Sequence, residues 1–213
     1  MSQLEYDDVL NMLRGAAASV RANHETLSRL DSVGGDGDHG TTMLRCVEAI
    51  ETAIEQSQDR KLATLLDKAG WAVMGIDGGA TGPLFGSLFL GMAEAAEGRD
   101  TLDAAGLAAL LEQGFAAVRR RTKAQPGDKT MIDALAPAVD AVKQAADTGA
   151  PVVDALAAGA KAAESGALAT PVMLARFGRA KNIGAKSIGA EDPGAASVAC
   201  IFGGFYKGVT TNA

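Results

Sequence analysis

Asp31-Ser-Val-Gly-Gly-Asp36-Gly-Asp38-His39-Gly40-Thr-Thr-Met43 places three aspartates, four glycines and one of the chain's two histidines between two helical patterns. It is short enough to be a single turn from one helix to the next. Carboxylates this close repel one another, and gathering them is costly unless a cation sits between them. Oxygen ligands without thiolates favour magnesium, manganese or calcium over zinc. The segment after it reads as a helix from Thr41, whose first amides would face whatever the cation holds. A helix start beside a divalent cation is a site for phosphate.

Other readings of the same stretch are weaker. Gly35-x-Gly37-x-x-Gly40 matches the dinucleotide fingerprint in letters, but that fingerprint follows a strand, and Leu27 to Leu30 ends a helical pattern. An EF-hand counted from Asp36 needs a bidentate Glu at its twelfth position, where this chain has Val47. An ordinary Asp/Gly turn without a ligand is the plain alternative. The added Asp31, His39 and helix start argue against it.

Outward from this loop, the chain reads as helix after helix. Its 213 residues are 47% apolar but only 4% aromatic, and the apolar positions recur at helical spacing. Ser2-x-x-Glu5 has the form of a capping box, followed by a stripe through Tyr6, Leu10, Leu13, Ala17, Val20 and Leu27. His24 lies on that stripe and reads as a core or boundary histidine. A second helix carries Met43, Val47, Ile50 and Ile54, and a third runs from about Arg60 to Met74.

Asp77-Gly-Gly-Ala80-Thr81-Gly-Pro-Leu-Phe-Gly86 is a second glycine-dense turn opening a helix. Thr81 suits its cap and Pro83 its first turn. A fifth helix follows Thr101 and ends in Arg119 to Arg121. Pro126-Gly127 is a turn, and Asp128 or Thr130 can cap a sixth helix, which Pro137 would bend. Gly-Asp-Lys-Thr there is not a Walker A motif, because Lys does not follow Gly directly. A seventh, alanine-rich helix follows Pro151. Thr170 to Ser187 sets Arg176, Arg179, Lys181 and Lys186 among glycines, a composition suited to phosphate or carboxylate contact. Asp192 and Pro193 begin the last helix.

No period-two run is long enough for a strand, and no linker divides residues 1–213. The expectation is an all-α, single-domain bundle or barrel of seven or eight helices. The low aromatic content is compatible with either a filled or a hollow interior. A net charge of −6 argues against a nucleic-acid partner. Cys46 and Cys200 form no C-x-x-C pair and read as small hydrophobes in a reducing compartment. With no signal peptide and no membrane-spanning apolar run, the chain reads as soluble and cytoplasmic.

Five motifs in order, Asp31-x4-Asp36-Gly-Asp38-His39-Gly40, Gly78 to Gly86, Pro126 to Met131, Gly178-Arg179-Ala180 and Ser187 to Gly194, resemble the nucleotide-binding L subunit of dihydroxyacetone kinase. The resemblance implies a barrel of eight antiparallel helices with a nucleotide, ADP or ATP, at one rim. It implies that Asp31, Asp36 and Asp38 hold two Mg2+ ions bridging the phosphates. It further implies nucleotide contacts from His39, Gly40, Thr41 and Thr42, from Ala80 and Thr81, from Met131 and Arg179, and from Asp192, Pro193 and Gly194. Two positions depart from the pattern: Thr81 stands for a common serine, and Thr122 for a frequent glycine.

The resemblance gives the reaction as phosphoryl transfer from the nucleotide to a hydroxyl of a short ketose. In this family the ketose is held on a separate K subunit, so a K-type partner is implied. One version of the family also uses a phosphotransferase-system phospho-donor protein; the other uses exchanging ATP. A homodimer is open as well. A metal-dependent phosphohydrolase would release phosphate without a partner. A non-catalytic, nucleotide-binding regulatory protein would bind ADP without turnover.

Overall fold

The structure, a computed structural model, describes residues 1–57 and 59–211. Among them are eight α-helices: α1 (Tyr6–Asp31), α2 (His39–Glu55), α3 (Leu62–Met74), α4 (Thr81–Ala96), α5 (Ala104–Arg121), α6 (Ile132–Asp147), α7 (Val152–Ala169) and α8 (Pro193–Thr210). Two short 3-10 segments, Thr170–Val172 and Arg179–Ser187, lie between α7 and α8. The only β pairing among the described residues is an isolated bridge between Leu4 and Leu102. Among the described residues no helix is long and apolar enough to cross a membrane.

Local chemistry sets several helix starts. Asp103 caps α5 by accepting from the Gly106 amide at 2.7 Å. Asp192 caps α8 by accepting from Ala195 at 2.8 Å, with Pro193 at the first helical position. The capping box of α1 differs from the sequence expectation. It pairs Glu5 with Asp8 rather than Ser2 with Glu5. Thr81 does not cap α4 but is its first helical residue, after Ala80. α6 starts after Met131, which gives no side-chain cap; the Thr130 hydroxyl accepts from the Ile132 amide at 3.2 Å, while Asp128 accepts from Gln125 instead. The helix continues through Pro137. Proline cannot donate to the Asp133 carbonyl one turn back, and Gly166 of α7 packs directly against that oxygen.

Each helix packs on its neighbours in sequence, and α8 returns to pack on α1. That pattern is a closed ring of antiparallel helices. The closing seam is tight: a side chain at Gly204 would meet the Gly15 carbonyl and the Ala16 Cα, each at 2.5 Å. Leu65, Leu66, Leu88, Met92, Phe202 and Phe205 are fully buried. Leu13, Met43, Val47, Val73, Phe85, Phe89 and Ile201 close around an interior void of about 10 Å³. Side chains therefore fill the barrel axis there, too tightly and with too little polarity for a bound molecule.

Antiparallel alternation sorts the connections between two rims. Segments 32–38, 75–80, 122–131 and 170–192 share one rim. The other carries the chain start, residues 56–57 and 59–61, and segments 97–103 and 148–151, joined by the Leu4–Leu102 bridge and an Arg60–Asp7 ion pair at 2.6 Å. All four motif-bearing loops thus meet at one end of the barrel.

The seam gives a direct test. Gly204→Ala puts a methyl group into backbone of α1 and should cost about 1–3 kcal/mol. Gly203→Ala, with open space around it, should be neutral or stabilising by up to about 1 kcal/mol. Urea unfolding of both variants measures the contrast; equal effects would contradict the tight seam.

Candidate functional site

Asp31 is the last residue of α1, and its carboxylate is fixed by the chain that follows. Its Oδ2 accepts from the Gly37 amide at 2.9 Å and the His39 amide at 3.3 Å. Gly37 reaches this position with φ 77°, where a side chain would be strained. The wrap brings Asp36 and Asp38 back beside Asp31, and one carboxylate oxygen from each lies within 4.8 Å of the others. Asp38 is pushed above the ordinary carboxylate range by desolvation, then by its hydrogen bond with Asp36 and by that residue's charge; Arg179 opposes the shift and Asp31 adds to it. Three clustered oxygen donors at the surface are the donor set a hard divalent cation takes.

Arg179 arrives from the far side of the rim. Its guanidinium pairs with the Asp36 carboxylate and lies 3.7 Å from Asp38. These groups are about half exposed, so the pair contributes little to stability. Its consequence is local charge: a planar cation held beside the acidic cluster.

His39 begins α2 and joins three elements. Ser197 donates its hydroxyl to the Pro193 carbonyl at 2.9 Å, so its oxygen accepts from His39 Nε2 at 2.8 Å. That leaves Nδ1 as the acceptor facing the Thr81 hydroxyl at 3.4 Å. Burial holds the imidazole below its ordinary value, against the charge of Asp31 and a hydrogen bond with the backbone of Pro193. Both ring nitrogens are engaged.

The cleft has two adjoining lobes of about 240 and 260 Å³. Asp31, Asp38, Arg179 and Pro193 line the first; Met131, Gly194, Leu84, Phe85 and Ile132 line the second; His39, Ala80, Thr81, Lys129, Phe177 and Asp192 line both. Thr122 also faces the second lobe. The expected site residues therefore converge, with Asp36 held in the carboxylate cluster although it lines neither lobe, and with three exceptions in detail on α2. Gly40 is packed against the backbone of His24. Thr41 is exposed beside the cleft and lines neither lobe. Thr42 is buried, with its amide donating to the Asp38 carbonyl at 2.8 Å and its hydroxyl accepting from Arg45. Arg45 also donates to the Asp77 carbonyl at 2.8 Å, tying the second glycine turn to α2. Among the described residues the amides of Gly40 and Thr41 remain uncommitted at the start of α2.

Lys129 and Phe177 are cleft residues that sequence reasoning did not single out. Lys129 was legible only as part of Gly-Asp-Lys-Thr; its inward turn depends on a φ of 60° that no residue pattern announces. Asp133, buried in α6, accepts from Gly127 at 2.5 Å and Thr130 at 2.7 Å and so shapes the same loop.

Comparison with known proteins gives the chain's family and its relatives. A family model described as the DAK2 domain matches residues 33–207. The chain is 36% identical, over 92% of its length and 93% of the relative's, to the ADP-binding subunit DhaL of the PEP-dependent dihydroxyacetone kinase of Escherichia coli (strain K12). It is 36% identical to the L-erythrulose 1-kinase of Mycolicibacterium smegmatis (strain ATCC 700084 / mc(2)155), over 84% of this chain and 31% of that one. The crystal structure of the dihydroxyacetone kinase from C. freundii in complex with AMP-PNP and Mg2+ aligns with a TM-score of 0.72 at 26% identity. That alignment covers 95% of this chain and 33% of the other, so this chain spans about a third of its length.

Asp192 carries a pH prediction. Burial pushes its carboxyl up to about 7; the Ala195 amide, Lys129 and the Gly194 amide oppose this, and Asp133 adds to it. Between about pH 4 and 7 the unfolded chain loses this proton while the folded chain keeps it. The folded state then binds more protons, so this group's contribution to stability falls as pH rises. The stability of wild type relative to Asp192→Asn should decline across that window and level off above it. A flat difference in urea titrations would refute the shift.

Proposed function

The chain belongs to the DAK2 domain family, and from that premise we propose that it is the nucleotide-binding subunit of a dihydroxyacetone kinase. It is a phosphotransferase with an alcohol acceptor, acting on dihydroxyacetone or a related short ketose. The observation that carries the reading is the trio of carboxylates within 4.8 Å, set with Arg179 at the mouth of a two-lobed cleft.

Asp31, Asp36 and Asp38 would hold Mg2+, and we assign them two ions. Bound there, the metal supplies neutralisation of polyphosphate charge. The rest is positioning by the chain itself. The two amides fixed on Asp31 hold the loop in its wrapped form before any ligand arrives. The free amides of Gly40 and Thr41 offer donors to phosphate oxygens at the positive end of α2. Arg179 adds a cation on the opposite side. The second lobe, with Leu84, Phe85, Met131 and Ile132, suits the flat apolar faces of a nucleoside base.

The acceptor is held elsewhere. His39 has both ring nitrogens engaged, so it is not available to hold a ketose. A K-type partner subunit therefore supplies the acceptor, and activity requires it. The near full-length match to a PEP-dependent subunit favours a phosphotransferase-system protein as phosphoryl source.

Two measurements test this. Titration calorimetry should find tight ADP binding that chelation of magnesium abolishes and Asp38→Asn loses; binding indifferent to both would remove the reading. With a K-type subunit supplied, Asp36→Asn or Asp38→Asn should lower turnover at least about a hundredfold with an unchanged far-UV circular dichroism spectrum. Near-normal turnover would contradict it. Phosphate release by the isolated chain would point to a phosphohydrolase instead.

A further inference from the structure

The connection between α7 and α8, residues 170–192, is the longest in the chain and carries Arg179 to the acidic cluster. A long irregular segment has many alternatives to any one path, so something must close it. Its own bonds do part of this: Gly189 donates to the Pro171 carbonyl at 2.8 Å, and Asp192 to the Thr170 hydroxyl at 2.9 Å. Ser187 accepts from Ala175 and donates to Gly184.

The remaining closure comes from outside the segment, where the Arg176 amide donates to the Asp128 carbonyl at 3.1 Å midway along the loop and Lys129 holds the ends. Lys129, only 4% exposed, donates its ammonium to the Thr170 carbonyl at 2.8 Å and the Ala190 carbonyl at 2.5 Å. These carbonyls stand at the two ends of the loop. No carboxylate lies within ion-pair distance of this ammonium among the described residues and its hydrogen bonds go to backbone; the charges of Asp192 and Asp133 favour it only from further off, against desolvation. Burying an ammonium on such terms is costly. Lys129 is also the one residue other than glycine with a positive φ among the described residues, in a region disfavoured for a lysine. Two unfavourable features meet at a residue that lines both lobes of the cleft.

We infer that Lys129 is a positioning residue: its buried ammonium clamps together both ends of the Arg179-bearing loop and thereby places Arg179 at the metal and phosphate site. The charge strengthens the two bonds to carbonyl oxygen beyond what a neutral donor would give. The clamp couples the 122–131 loop to the 170–192 loop, so the two sides of the cleft move as one. Its bearing on nucleotide binding rests on the kinase reading; its structural part does not.

The test is Lys129→Met, which keeps the stem and removes the donors. Hydrogen exchange in the absence of nucleotide should quicken at least tenfold at Gly189 and Asp192 while the amides of α1 to α4 keep their protection. Affinity for Mg-ADP should fall by about as much as in Arg179→Ala. The double variant should be no weaker than the worse single one, because both changes remove the same contact. Unchanged exchange in the loop, or losses of affinity that add, would overturn the clamp. If Lys129→Met loses its helical circular dichroism signal, Lys129→Gln is read in its place, and global unfolding of both would overturn it too, since the residue would then serve the barrel. If wild type binds no Mg-ADP, the kinase reading fails while the exchange experiment still decides the clamp.

Discussion

A ring of antiparallel helices closes only if its first and last members can meet. Here α1 and α8 do so backbone against backbone, with Gly15, Gly204 and Gly208 where any side chain would strike main-chain atoms. The other helices need only pack on their neighbours in sequence, which short connections arrange almost unaided. Closure puts alternate loops on one rim and encloses a filled apolar axis. The site depends on that sorting: Asp31, Thr81, Lys129 and Arg179 come from four different connections or their flanking turns, and all face one cleft.

Within the rim, rigidity and charge are supplied separately. The Asp31 carboxylate takes two backbone amides, Arg45 ties α2 to the second glycine turn, and Asp133 takes two amides of the 122–131 loop. These bonds, half-buried except for the exposed one from Arg45, fix main chain. The exposed groups, Asp36, Asp38 and Arg179, stay at the surface where a ligand can reach them. Such an arrangement suits phosphoryl transfer, in which the protein positions charge and does little covalent chemistry of its own. It also leaves the acceptor to be brought by another protein, consistent with a relative that is itself named as a subunit.

Much of this was legible in residues alone. The helices were, because an apolar stripe such as Leu10, Leu13, Ala17 and Val20 is a local pattern and local patterns specify helices. The start of α8 at Asp192-Pro193 was legible for the same reason. Helix starts that depended on competition among nearby polar groups were not: Glu5 and Asp8 displaced Ser2, and Thr81 turned its hydroxyl to His39 instead of capping α4. Several groups could satisfy the same amides, and tertiary packing chose between them.

The acidic loop was the clearest site signal, because three carboxylates and four glycines within thirteen residues already demand a compensating cation. By itself, then, the sequence determined an all-helical chain, the apolar stripes that its helices bury and the oxygen donors of one loop. Only the tertiary structure decided that α8 seals against α1, that Arg179 reaches Asp36 from the far end of the chain, and that Lys129 turns inward through a left-handed backbone to hold both ends of one loop. The physical reason is range. Periodicity, caps and turns act over a few residues, whereas closure of the ring and the meeting of distant loops depend on surfaces that exist only once all eight helices have packed.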